Sequence, residues 1–317
     1  MTESSSRRTD EVAQRISHAL IEHAGPIAES CGAAAIFVYV DALGDQPLPT
    51  PPQLEHLVYY ISKTAEEERS QEEKGRRFLR VPNVPLSRTG QVKIAVFLAL
   101  SHGLVKHGDV IVCLSGMPES GQFDSLFITQ IGREYEMYFA SQEGEEEPSD
   151  VRPEVIERVV NIAIELGYEG REGKPVGALF VVGDTERVLS MSRQLILNPF
   201  RGYDEKERNV LDPSLEETVK ELATIDGAFL IRGDGVIESC GTYLKISRQD
   251  EYELPQGLGA RHHAAAGVTA VTKAFAVTVS ESTGTVTIFK DGRIVTEIEK
   301  PRRLDIVHHR HHRTLQE

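Results

Sequence analysis

Apolar residues recur along this chain at two spacings, and the switches between them mark out helices and strands. In "VRPEVIERVVNIAIEL", residues 151–166, Val155, Ile156, Val159, Val160, Ala163 and Leu166 share one face at helical spacing, with Pro153 and acids in the first turn, which predicts a helix. "VGALFVV" (176–182) is a short β-branched run bordered by glycine and predicts a buried strand. "LDPSLEETVKELATIDGAFLI" opens a helix capped by Asp212 ahead of Pro213, keeps Leu215, Val219 and Leu222 on one face, and returns as a strand through Ala228 and Ile231. Asp226 therefore stands where helix gives way to strand. "AFAVTVS" and "TVTIFKDGRIVTEIE" predict strands, with Asp291-Gly292 as a hairpin turn because both residue types tolerate positive φ.

The first half has the same alternation. Residues 33–40, 56–62, 109–115 and 125–131 are strand candidates, 91–104 is helix-compatible, and "DALGDQPLPTPPQ" is a loop by its prolines. The Glu/Arg/Lys-rich stretch 64–77 reads as a solvated helix face. "EGEEEPSD" (143–150) interrupts the apolar pattern as a linker would. The expected organisation is thus an α/β chain of two domains, 1–142 and 151–300, joined by that acidic linker and followed by a His/Arg-rich tail, 301–317.

Composition narrows the function classes. At 317 residues and 40% hydrophobic, the chain can bury two cores. A formal net charge of −14 repels polyanions, so neither nucleic acid nor an anionic membrane is expected as a partner; it also suits a salt-rich or archaeal cytoplasm. Cys31, Cys113 and Cys240 lie far apart, supporting neither a disulfide framework nor a thiolate zinc site. The N-terminus lacks a signal peptide's apolar core, and no apolar run approaches the ~20 residues that cross a bilayer. The expected location is cytoplasmic.

The motifs of phosphate loops, zinc-protease helices and nucleophile elbows are absent, and "GLGARH" lacks the third glycine of a dinucleotide fingerprint. The chemistry concentrates instead in "QGLGARHHAAAGV", residues 256–268. Gly257 and Gly259 allow strained turns and close ligand approach, Arg261 offers a planar fork for phosphate oxygens, and His262 and His263 add donors. A helix starting there would aim its first amides at the same anion. The other reading is a loop-to-helix junction with solvated Arg and His. Asp226, followed by Gly227 and Ala228, supplies a carboxylate, and a carboxylate beside a phosphate cradle suggests Mg²⁺ or Mn²⁺, although Asp-Gly-Ala can equally be a turn. Gly241 suggests a second turn before Tyr243 and Leu244, and Ser280-Glu281 lies at a strand end.

Taken together, Asp226-Gly227-Ala228, Gly259-Ala260-Arg261-His262-His263 and Ser280-Glu281-Ser282-Thr283-Gly284 resemble, in order and spacing, the motifs of the diadenylate cyclases. The resemblance covers roughly 151–300 and includes "GKPVGALFVVGDTERV" and "LNPFRGY". The preceding "HGLVKHGDVIVCLSGMP" resembles the C-terminal α/β domain of pyruvate kinase, and that pairing is similar to the archaeal type of cyclase. The resemblance implies a domain with a central mixed sheet flanked by helices. It also implies condensation of two ATP into cyclic di-AMP and two pyrophosphates between two facing domains, and hence a homo-oligomer. By the same resemblance, Asp226 binds metal or activates the 3′-hydroxyl and Glu281 binds metal (Mn²⁺ or Mg²⁺). Arg261, His262 and His263 hold phosphates, with Gly259, Ala260 and Ser280 beside them. Gly241, Thr242, Tyr243 and Leu244, with Gly227 and Ala228, line the adenosine side.

His263 stands where the bacterial pattern has arginine, and Ala260 where many members have threonine. A neutral histidine would hold a triphosphate less strongly and with more dependence on pH. The alternatives are a nucleotide-binding sensor with weak or no catalysis, and metal binding through "HHRHHR" at 308–313, against which a solvated tail is the simpler reading.

Overall fold

A computed structural model describes residues 2–43, 54–63, 76–117, 120–132, 151–245, 255 and 257–300, with backbone alone for 2–10. The described residues form two compact units, one before and one after 133–150. The acidic linker, residues 44–53 of the proline-rich loop, residues 64–75, Gln256 and the tail 301–317 lie outside the described residues.

The first unit holds a five-stranded sheet in the order β3-β2-β1-β4-β5, made of Ala35–Tyr39 (β1), Val58–Ser62 (β2), Arg77–Arg80 (β3), Val110–Ser115 (β4) and Ser125–Gln130 (β5). β1 to β4 run parallel and β5 closes one edge antiparallel. The long helix α1 (Thr2–Cys31) lays Ala24 and Ala28 against Ile36, Val38, Val112 and Leu114, and α2 (Arg88–Ser101) packs on β3 and β4. Ser87 caps α2 by accepting a hydrogen bond from the Gly90 amide.

Two departures from the sequence expectation appear in this unit. α1 was not anticipated: its most buried positions are the small Ala24 and Ala28, its larger apolar residues Leu20, Ile21 and Ile27 are only partly buried, and Pro26 interrupts its pattern. Arg77, expected on a solvated helix face, begins edge strand β3, where its guanidinium lies over the Tyr59 ring and donates to the Tyr59 hydroxyl at 3.1 Å. An edge strand carries charges at its ends as a surface helix does, so composition alone does not separate them.

The second unit is built on a seven-stranded sheet in the order β12-β11-β10-β6-β8-β9-β7. Its strands are Ala178–Val182 (β6), Ser192–Gln194 (β7), Ala228–Ile231 (β8), Ile237–Leu244 (β9), Phe275–Val279 (β10), Val286–Lys290 (β11) and Arg293–Ile298 (β12). β6 and β8 are parallel, and the other pairings are antiparallel. One face takes α3 (Pro153–Glu169), whose Gly167 reaches Val279 and the Gly284 carbonyl; Phe180 and Phe229 stack at 5.1 Å. The other face takes α4 (Thr185–Ser190) and α6 (Ala260–Val271), where Ala265, Ala266 and Val268 pack on Leu179, Val181, Leu230 and Ala276. The alanines after Arg261 thus bring α6 close to the sheet. Asp291 and Gly292 take φ of 50° and 74°, as the hairpin turn requires. Asp212 accepts from the Ser214 amide, opening a single 3-10 turn ahead of α5 (Glu216–Leu222).

α5 docks on α3 through charge. Lys220, 5% exposed, pairs with Glu165 of α3 and lies 2.7 Å from Glu216, which also meets Arg158 at 2.7 Å. Burial alone would lower the Lys220 pKa, and the hydrogen bonds its ammonium donates to Glu165 and Glu216 overcome that and raise it. Removing the ammonium would leave two carboxylates facing each other in a half-buried seam. Lys220→Met is expected to lower stability by roughly 2 kcal/mol in urea unfolding of the full chain; an unchanged midpoint would contradict this role.

Candidate active site

Strand order decides which residues meet. β6 lies between β8 and β10. Its parallel register with β8 pairs Phe180 with Phe229, and continuing it backward sets Gly177 beside Asp226. Its antiparallel register with β10 pairs Ala178 with Val279, so Gly177 and Ser280 follow at the same end. α6 runs back along the sheet toward the start of β10, which puts its N-terminus at that end too. Asp226, Arg261 and Glu281 converge there from three distant stretches of sequence.

The Arg261 guanidinium donates from Nη2 to Asp226 Oδ1 at 3.1 Å, and its Nη1 lies 3.7 Å from Glu281 Oε2. Its side chain is 31% exposed, against 92% for Asp226 and 65% for Glu281. The cation is seated and the acids stand at the mouth. Such exposed pairs contribute little to stability, so the arrangement matters for what it presents to a ligand.

Backbone geometry fixes Asp226. Gly227 has φ 110°, and a Cβ on it would come 2.6 Å from both the Gly241 carbonyl carbon and the Thr242 nitrogen. Gly241, with φ 63°, is no turn ahead of a strand, as expected from sequence; it sits inside β9 where the pairing with β8 shifts register, a bulge that admits the Asp226-Gly227 backbone. A Cβ on Gly241 would meet Ile196 at 2.5 Å, and the Leu195 amide donates to the Gly241 carbonyl at 2.8 Å. Residues 195–196 therefore border the site, which sequence reasoning missed.

Of the opening glycines, Gly257 takes a left-handed φ of 95°. Gly259 is extended at φ −82°, ψ 175°, a conformation open to any residue, so the expected strained geometry is found at Gly257 and not at Gly259. A Cβ on either would meet nothing within 4 Å. Gly259 is the N-cap of α6 without a side-chain cap, and Ala260 beside it is exposed.

The two histidines part company. His263 is exposed, whereas His262 is 7% exposed and meets Phe289 edge-on, centroids 6.1 Å apart. Burial, then the neighbouring His263 and Arg261 charges, hold the His262 pKa below its ordinary 6.5. Thr242 and Leu244 turn their side chains into the core, as does Ala228, so these positions offer a ligand backbone. Tyr243 faces outward with the Arg193 guanidinium of β7 over its ring at 5.0 Å. Ser280 closes the turn before β11, its carbonyl accepting from Gly284 and its hydroxyl lying 3.2 Å from that of Ser282.

Among the described residues no cluster of three or more His, Cys, Asp or Glu could hold a metal. What the site offers is Asp226 and Glu281 with exposed oxygens, the donor set by which Mg²⁺-like ions are held when substrate phosphates complete the shell. The residues fit that mode and not an all-protein cage. Cys31, Cys113 and Cys240 are free, and burial pushes the Cys240 thiol up to about 11. Among the described residues no helix is long and apolar enough to cross a membrane.

Residues 165–294, which include Asp226, Arg261 and Glu281, match the family described as DisA bacterial checkpoint controller nucleotide-binding, and residues 17–139 match one described as "Probable sensor domain DacZ_P". The chain is 40% identical over 202 residues to a diadenylate cyclase of Methanocaldococcus jannaschii, a match spanning 63% of this chain and 63% of that protein. It is 37% identical over 214 residues to a diadenylate cyclase of Haloferax volcanii, across 66% of this chain and 75% of that one. A crystal structure of DacA from Staphylococcus aureus is 25% identical, with 48% of this chain and 91% of that chain covered and a TM-score of 0.31.

The depressed His262 pKa links stability to pH. The unfolded chain takes up a proton near the ordinary 6.5 while the buried ring resists it, so the contribution is complete above that value and declines as pH falls below it. His262→Leu is expected to flatten the fall in melting temperature between about pH 7 and 5; an identical slope in both proteins would contradict the inward placement.

Proposed function

The chain belongs to the diadenylate cyclase family, and on that premise we propose that it condenses two ATP molecules into cyclic di-AMP and two pyrophosphates. The observation that supports this reading most directly is the meeting of Asp226, Arg261 and Glu281 at one end of the sheet.

Each product bond joins a ribose 3′-hydroxyl to the α-phosphorus of the other nucleotide, with pyrophosphate leaving. One site holds one ATP, so two copies must face each other, and a monomer could bind substrate without closing the ring. Catalysis is then mainly alignment and charge neutralisation. Arg261 supplies a permanently charged fork to the phosphates, and exposed His263 adds a donor beside it. Asp226 and Glu281 would hold Mg²⁺ or Mn²⁺; such an ion, when bound, neutralises charge on the phosphoryl oxygens. Asp226 can alternatively accept the proton of the 3′-hydroxyl. We assign His262 to positioning the first turn of α6, since its ring is turned onto Phe289. Exposed Tyr243 and the backbone at Gly241, Thr242 and Leu244 would border the adenosine, with Gly259, Ala260 and Ser280 at the phosphate end.

We place the protein in the cytoplasm as a homo-oligomer, without nucleic acid or membrane as a partner. Residues 1–142, which we read as pyruvate-kinase-like, are given an assembly or allosteric role; the match of 17–139 to a family described as a sensor domain supports the allosteric part.

Purified full-length protein incubated with ATP and Mn²⁺, followed by chromatographic separation of nucleotides, should yield cyclic di-AMP. Asp226→Asn should reduce turnover at least about a hundredfold, with an unchanged melting temperature. ATP binding with no product would support the nucleotide-sensor alternative instead. His263→Arg should tighten ATP binding about fivefold, as expected for an added charged donor at an exposed site; equal affinity at all pH values would remove His263 from the phosphate contacts.

A further inference from the structure

Arg261 needs an explanation that its ion pairs do not supply. Its partners are largely exposed, yet its own side chain is only 31% exposed. What lies against it is the backbone of Gly177, the residue that leads into β6. A Cβ built on Gly177 would come 2.7 Å from Arg261 Nη1, 3.1 Å from Cζ and 3.1 Å from Glu281 Cβ.

Glycines at Gly227, Gly241 and Gly257 have left-handed backbones that exclude most other residues. Gly177 does not: its φ lies outside that region, so the backbone would accept alanine without strain. The need for glycine here is spatial alone. Between Asp226 on the β8 side and Ser280-Glu281 on the β10 side, the bare Cα leaves room for the flat guanidinium to settle against the backbone.

We propose that Gly177 is a positioning residue for the reaction: its missing side chain forms the floor on which Arg261 is aligned between Asp226 and Glu281. This rests on the cyclase reading for its consequence, though not for its geometry. Gly177→Ala would push the guanidinium outward by rotation of its flexible stem, leaving the strand in place. The fold survives and the alignment does not, and a displacement of this size in a positioned cationic clamp costs roughly tenfold or more in turnover.

The test uses full-length protein in three readouts. In Gly177→Ala the melting temperature should stay close to wild type. The Arg261 Nε–Hε NMR signal, assigned by its loss in Arg261→Lys, should shift without any nucleotide. Affinity for adenosine 5′-(α,β-methylene)triphosphate should fall severalfold, and cyclisation of ATP about tenfold or more, whereas in an Arg261→Ala background the same alanine should leave analogue binding unchanged. An unmoved Arg261 signal with unaltered binding overturns the proposal, as does an equal loss of affinity with and without Arg261. If wild-type protein neither binds nor cyclises ATP, the cyclase reading fails, and the Arg261 signal still decides whether Gly177 seats the guanidinium.

Discussion

Arg261 reaching across to Asp226 and Glu281 is the contact through which three separated stretches of chain become one site. Each partner arrives on a different element: the cation on the first turn of α6, one acid just ahead of β8, the other just after β10. None of these elements would present its side chain to the others without β6 running between β8 and β10. The parallel β6–β8 and antiparallel β6–β10 pairings bring two strand starts and one strand end to the same edge. The groups proposed to act are thus carried at the ends of a sheet, where precision is greater than on a free loop.

The site is held by packing and not by its own charges. Exposed ion pairs are worth little, whereas the alanine face of α6 is pressed onto Leu179, Val181 and Ala276, and His262 is keyed against Phe289. The Asp226-Gly227 backbone is in turn trapped against the bulge at Gly241. The polar groups can therefore exchange partners when a ligand arrives without disturbing what positions them. In the free protein the arginine offsets part of the charge of the two acids. On the proposed reading, an incoming metal-bound triphosphate would bring both a cation for the acids and anions for the arginine, and so would replace the interactions it breaks.

Glycine does three different jobs around this edge. At Gly227 and Gly241 it lets two backbones approach within the reach of a single Cβ, with φ values that only glycine adopts readily. At Gly257 it provides a left-handed residue before the helix, and at Gly177 it provides space alone. Gly259, in an extended conformation with open surroundings, is constrained by none of these in the free protein.

Much was legible from residue order. The start of α6 near Gly259, the passage from helix to strand at Asp226 and the turn at Asp291-Gly292 follow from local rules of capping, periodicity and positive φ, and each is found in the structure. The resemblance of three short motifs picked out Asp226, Arg261 and Glu281 together. What residue order left open was direction and depth. It grouped His262 with His263, treated Thr242 and Leu244 like Tyr243, took Arg77 for part of a helix and passed over Gly177. A local pattern records the face of its own element, and a bulge such as that at Gly241 shifts the alternation from within. Which strand ends share an edge, and which side chains are buried there, depends on pairings between residues far apart in sequence, and only the assembled sheet contains that information.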